Sequence, residues 1–182
     1  ASLFKIVSAS AAIEARNFSI DKTFYYRGGK YTLYKSQLEK NIRRNRYTYK
    51  TSLKRAFSGS NNPVFGRLGI YDLGRELLED YADRFFFNSS IPFEFSIEKS
   101  FIDVPDDDFG LAEIASGFNK RTLISPLHAS LMTSAVVNKG MMMEPWIVRE
   151  IRDEFGQVIY SGKSSKLGNP LKKVTAEKNK IL

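Results

Sequence analysis

Leu3, Phe4, Ile6, Val7, Ala11 and Ile13 recur at helical spacing and predict a helix over residues 2–16. Small Ser and Ala residues fill the positions between them, so the helix is apolar around most of its circumference. That pattern is expected of a buried central helix. Residues 23–26 and 31–34 read as strand-like stretches on either side of a turn, Arg27-Gly28-Gly29-Lys30. Helices are predicted over residues 36–44 and 49–57. The run Ser58-Gly59-Ser60-Asn61-Asn62-Pro63 then breaks the pattern with turn chemistry. Pro63 suits the first turn of a following helix that carries Val64, Phe65 and Leu68.

Further on, Leu73, Leu77, Leu78 and Tyr81 mark the apolar side of an amphipathic helix over residues 72–86. Residues 88–108, with Pro92, Pro105 and three successive aspartates, read as irregular. A short helix over 111–115 is closed by Gly117. Ser125-Pro126 opens another helix, with a Ser cap and Pro at the first helical position, running to about residue 138 and ending at Gly140. Residues 146–152 and 157–160 form a β-hairpin around Asp153-Glu154-Phe155-Gly156. The expected fold class is α/β of the α+β kind, mostly helical with part of an antiparallel sheet. Within it, residues 1–142 are the helical portion, 143–162 the hairpin and 163–182 a basic tail.

A chain of 182 residues suffices for one domain or one large subdomain with its own core. It has 42% hydrophobic and 26% charged residues, as a globular chain does. It has no cysteine, which excludes a disulfide framework, a thiolate metal site and a cysteine nucleophile. The single histidine, His128, leaves little from which to build a histidine metal site or a Ser-His-Asp triad, and no metal or cofactor is expected. No uncharged apolar run approaches the roughly 18 residues of a membrane span, and no signal-peptide pattern is read. Because the sequence opens abruptly on Ala-Ser-Leu-Phe-Lys, it is expected to be a piece of a longer chain.

The net charge of +8 is unevenly placed. Lys35, Lys40, Arg43, Arg44, Arg46, Lys50, Lys54 and Arg55 are opposed only by Glu39, and Lys172, Lys173, Lys178 and Lys180 form a second run. Such patches can bind phosphates of nucleic acid or of membrane headgroups. With no nucleic-acid motif beside them, a solvated helical face is the expectation, and no nucleic-acid partner is expected.

A serine can be acylated without histidine if a lysine of depressed pKa takes its proton. Ser2 and Lys5, at i and i+3, share one face of the first predicted helix. The same Ser-x-x-Lys string occurs at Ser19–Lys22 and at Ser96–Lys99, so the motif by itself selects nothing. Only the first copy opens an apolar helix in which a lysine would be desolvated. Ser60-Asn61-Asn62, the sole Ser-x-Asn of the chain, supplies a second polar pair. The Ser60 hydroxyl can relay a proton toward a leaving amine, and the Asn62 amide can bind substrate backbone and hold the lysine. A simpler reading makes Ser60 the cap of the helix that begins near Pro63.

Ser-Leu-Phe-Lys-Ile-Val-Ser-Ala-Ser-Ala-Ala-Ile-Glu resembles the nucleophile helix of the penicillin-binding-protein transpeptidase family. Ala56-Phe57 before Ser60-Asn61-Asn62, with Phe65 and Leu68 after it, is similar to that family's second motif and flanks. A third stretch resembles the family in Ala115-Ser116-Gly117, Ile124 to Ala129 and Val137 to Gly140; there it carries no catalysis and packs behind the sheet. Pro145 to Tyr160 resembles the strand and turn that follow.

The resemblance implies the helical portion of a penicillin-binding/β-lactamase-like domain. It implies peptidoglycan D,D-transpeptidase or carboxypeptidase chemistry, with Ser2 as nucleophile, Lys5 as base, and Ser60 and Asn62 completing the site. Stem peptides and β-lactam antibiotics are the implied partners. The implied location is extracytoplasmic, with the parent held by an N-terminal membrane anchor outside this sequence.

The third motif of the family, Lys-Thr/Ser-Gly, is missing. Gly162-Lys163-Ser164-Ser165 is the nearest string and reads as a polar turn. In the family the missing strand supplies one oxyanion-hole amide, and losing such a donor costs about 10²–10³-fold. The Ala1 α-ammonium would also sit at the positive end of the first helix dipole. The chain alone is therefore expected to be weak or inactive. Two other readings stand beside this one: a non-catalytic β-lactam-sensing or scaffold relative, and a basic nucleic-acid-binding helical domain.

Overall fold

Lys5–Glu14 form the helix, α1, around which the other elements pack. The computed structural model describes residues 2–42 and 44–182; Ala1 and Arg43, and with them the expected α-ammonium and one member of the basic run, lie outside the described residues. One 3-10 turn, Ser2–Phe4, leads into α1. From Phe4 to Ile13 every side chain is buried except the half-buried Ile6. The small residues Ala9, Ala11 and Ala12 let neighbours approach from all sides, as the apolar circumference foretold.

The next segment departs from the sequence expectation. Strand β1, Thr23–Arg27, pairs antiparallel with β2, Thr48–Ser52, and not with residues 31–34. Thr48, Tyr49 and Thr51 suit an extended chain, and pairing with β1 overrides the helix predicted from residue 49 onward. Ser52 ends the strand and caps α2, Leu53–Ser58, its Oγ accepting from the Arg55 amide at 3.2 Å. The helix expected over 36–44 shrinks to one 3-10 turn, Lys35–Gln37. Leu38 is its single buried apolar residue, so no helix face is available to bury. Instead buried Gln37 ties the loop together: Nε2 donates to the Arg27 carbonyl at 2.9 Å, and Oε1 accepts from the Tyr34 amide at 2.9 Å.

Helix α3, Asn62–Leu68, runs into a π-helical turn, Gly69–Leu73, and then into α4, Gly74–Arg84. Helix α5, Asp108–Ser116, lies against α3 and the π turn. Glycine makes that approach possible. A Cβ on Gly69 would meet the Ala115 Cβ at 2.5 Å and the Leu111 carbonyl oxygen at 2.8 Å. Gly117, at φ +63°, closes α5 in the left-handed conformation. Helix α6, Pro126–Val137, is capped by Ser125, whose Oγ accepts from the His128 amide at 3.2 Å. His128 is fully buried in the core, its ring 5.0 Å from that of Phe87 and its Nε2 on the Phe85 carbonyl.

The C-terminal stretch expected as a basic tail contains two elements. Strand β3, Met142–Met143, precedes the hairpin of β4, Glu150–Arg152, and β5, Val158–Ser161. Strand β6, Lys166–Gly168, then pairs back onto β3, and α7, Lys173–Asn179, packs on α1. Three contacts fasten this return. The Asn179 amide donates to Ser10 Oγ at 2.8 Å, Glu14 accepts from the Lys172 amide at 2.9 Å, and Thr175 and Ala176 are buried. The β4–β5 hairpin is exposed on both faces, with Ile151, Val158 and Ile159 open to solvent. Among the described residues no helix is long and apolar enough to cross a membrane.

Candidate functional site

Four side chains meet at the start of α1: Ser2 and Lys5 from its first turns, Ser60 from the turn between α2 and α3, and Asn62 from the start of α3. Ser2 lies in the 3-10 turn and Lys5 one turn along, 2% exposed although charged at its tip. Burial of an ammonium favours its neutral form, and desolvation lowers the Lys5 pKa to about 8. Three acceptors surround Nζ: Asn62 Oδ1 at 2.8 Å, the Ser116 carbonyl oxygen at 2.5 Å and Ser2 Oγ at 3.4 Å. A protonated lysine has three donors, so all are used. A neutral lysine keeps two N–H groups and gains a lone pair. With the two N–H groups on Asn62 and Ser116, the lone pair falls toward Ser2 Oγ, where it can take that hydroxyl's proton.

Ser60 reaches the same oxygen from the opposite side, its hydroxyl 3.2 Å from Ser2 Oγ. The end of α2 places it there. The Asn61 amide donates back to Ala56 and the Ser60 amide to Phe57, which is the Schellman arrangement with Ser60 in the left-handed position usually held by glycine. Ser60 has φ +49°, a conformation that costs a non-glycine residue about 1 kcal/mol or more. A helix end that merely needed closing would carry glycine here. Asn61, and not Ser60, caps α3: its Oδ1 accepts from the Val64 amide at 3.0 Å. The simpler reading of Ser60 as that cap is thereby corrected.

Asn62 is buried, holding Lys5 through Oδ1 and donating through Nδ2 to the Tyr31 carbonyl at 3.1 Å. Nδ2 carries two N–H groups, and one of them is spent on Tyr31. Ser116 was missed. The stretch around it was expected to pack away from the chemistry, yet its carbonyl is the shortest contact to Lys5. Gly117 was the available signal, since a left-handed residue ending a helix leaves its last carbonyls free for other donors.

The other two Ser-x-x-Lys strings make no such site. Lys22 lies over the Phe18 ring at 3.0 Å and 3.9 Å from an Asp72 oxygen, while Ser19 accepts from the Asp21 amide. Ser96 and Lys99 are exposed in irregular chain.

The family profile described as the penicillin-binding protein transpeptidase domain matches residues 1–180. Among solved structures, PBPA from Mycobacterium tuberculosis is similar at a TM-score of 0.80 and 22% identity, over 99% of this chain and 41% of that one. The penicillin G acyl-enzyme complex of penicillin-binding protein A from M. tuberculosis gives 0.77 and 22%, over 99% and 43%. The D,D-transpeptidase domain of a peptidoglycan glycosyltransferase from Eggerthella lenta gives 0.77 and 24%, over 100% and 46%. At these identities the likeness is one of fold, and the chain spans less than half the length of each. No curated protein matches it.

Proposed function

Since the chain belongs to the penicillin-binding protein transpeptidase domain family, we propose that it is the nucleophile-bearing part of a peptidoglycan D,D-transpeptidase that forms its acyl-enzyme on Ser2. One observation carries this reading: Lys5 Nζ and Ser60 Oγ converge on Ser2 Oγ, and the lysine is desolvated to a pKa of about 8. Ser2 Oγ bonds to the carbonyl carbon between two terminal D-Ala residues as its proton passes to the Lys5 lone pair. The C–N bond then breaks, and the proton travels through the Ser60 hydroxyl to the departing amine of the last D-Ala. The ester is released to an amine of a neighbouring strand or to water. Asn62 and the Ser116 carbonyl position Lys5.

A β-lactam acylates the same oxygen, its ring amide taking the place of the D-Ala–D-Ala bond. The site works outside the cytoplasm, on stem peptides, in a parent chain anchored to the membrane. Without a Lys-Thr/Ser-Gly strand, the chain by itself is expected to acylate slowly. Fluorescent penicillin followed by peptide mapping tests the reading in the full-length protein. The adduct is expected on Ser2; an adduct on Ser19 or Ser96 would displace the assignment, and none at all would favour a non-catalytic relative.

A further inference from the structure

Residues 28–47, which join β1 to β2, carry Lys30, Lys35, Lys40, Arg43, Arg44 and Arg46 against one carboxylate, Glu39. Among the described residues none of these cations forms an ion pair. Several lie over aromatic rings instead: Arg44 over Tyr25 at 4.3 Å, Arg46 over Tyr47 at 4.8 Å and Lys30 over Tyr31 at 4.7 Å. Lys30 differs from the rest because it is fastened to the site. Its carbonyl accepts from the Asn62 amide at 2.8 Å, and the next carbonyl, Tyr31, accepts from Asn62 Nδ2. Its ammonium lies against the residue before Ser60, where a Cβ on Gly59 would sit 3.5 Å from Nζ.

The site therefore holds two lysines in opposite conditions. Lys5 is buried, with every donor taken by the protein. Lys30 is half-buried at the rim, without a carboxylate partner among the described residues; its backbone carbonyl is held by the same asparagine that holds Lys5, and its ammonium lies between the Tyr31 ring and Gly59. We propose that Lys30 determines specificity at the Ser2 site by receiving a carboxylate of an acidic peptide substrate, while the cations beyond it draw such peptides to the mouth. This inference rests on the acyl-transfer reading of Ser2. A cation near a nucleophile selects among substrates by charge, and the surrounding positive field raises the encounter rate of anionic ones.

The test uses the full-length protein and two peptides ending in D-Ala–D-Ala. One carries a free side-chain carboxylate and the other has that carboxylate amidated. The wild type is expected to favour the acidic peptide in kcat/KM by about two- to fivefold, through KM, with the preference fading as salt rises. Lys30→Gln should abolish the preference and Lys30→Arg restore it, while penicillin still labels Ser2 in both, which shows the site intact. A preference that survives Lys30→Gln, or none in the wild type, would overturn the assignment of Lys30. If penicillin fails to label Ser2 even in the wild type, the reading of Ser2 falls, and the inference with it.

Discussion

Lys5 Nζ lies 2.5 Å from the carbonyl oxygen of Ser116, 111 residues further along the chain. That contact joins the start of the central helix to the end of α5. Gly66 and Gly69 let α5 come close to the helix bearing Asn62 and to the turn that follows it. The lysine is thus held by two helices at once, with its remaining position directed to Ser2. Its depressed pKa follows from the same enclosure, since water is excluded where the helices meet.

Lys5→Ala removes the group that accepts the Ser2 proton. Acylation of Ser2 is expected to fall by about 10²–10⁴-fold, the usual worth of such a base. Stopped-flow measurement of penicillin acylation checks this, with circular dichroism to show that the fold persists.

The rate of acylation should rise with pH through about 8, because the neutral amine is the active form. Asn62→Asp places a negative charge at the 2.8 Å contact to Nζ and favours the ammonium. Its pH–rate midpoint is therefore expected above that of the wild type, with a slower rate at neutral pH. An unchanged midpoint would show that Lys5 is not the titrating group.

Stability has its own pH signature. In the unfolded chain Lys5 titrates near its ordinary 10.5, and in the folded chain near 8. Below about 8 both states bind the proton and no slope arises. Between about 8 and 10.5 the unfolded state holds more protons, so stability rises with pH. The urea midpoint of the wild type should rise relative to that of Lys5→Met over that window and keep a constant offset at lower pH.

Gly69→Ala would force a methyl group into Ala115 and the Leu111 carbonyl. A cost of about 1–3 kcal/mol is expected in chemical denaturation, as for other overpacked contacts. Acylation should fall as well, because Ser116 is carried away from Lys5.

Glu14 gives the corresponding test for the C-terminal return. Burial pushes its carboxyl pKa up, but hydrogen bonds from Arg84, the Lys172 amide and Thr175 outweigh this and hold it below the usual value. Its contribution is present above about 4.5 and is lost as pH falls through the lower, folded value. Glu14→Gln should lose about 1–3 kcal/mol at neutral pH and expose α7 to proteolysis, while the acid-side slope of stability flattens.

Local pattern determined a good part of this protein. The apolar circumference of α1 predicted its burial, Ser125-Pro126 predicted the start of α6, and Gly117 predicted the end of α5, because each depends on residues within a turn or two of one another. The Ser2–Lys5 spacing likewise follows from one helix. Three other decisions required the tertiary structure. Strand β2 was hidden in a stretch that reads as helix, since its pairing partner lies before a long connection. The apolar helix around Lys5 singled out one of the three Ser-x-x-Lys strings by local pattern, but the groups that hold its ammonium, Asn62 and the Ser116 carbonyl, come from distant elements. Ser116 enters the site through a backbone oxygen, which every residue type possesses; Gly117 marks the helix end there, but not which side chain meets its last carbonyls. Spacing set which groups could react, and long-range packing decided which lysine lost its water.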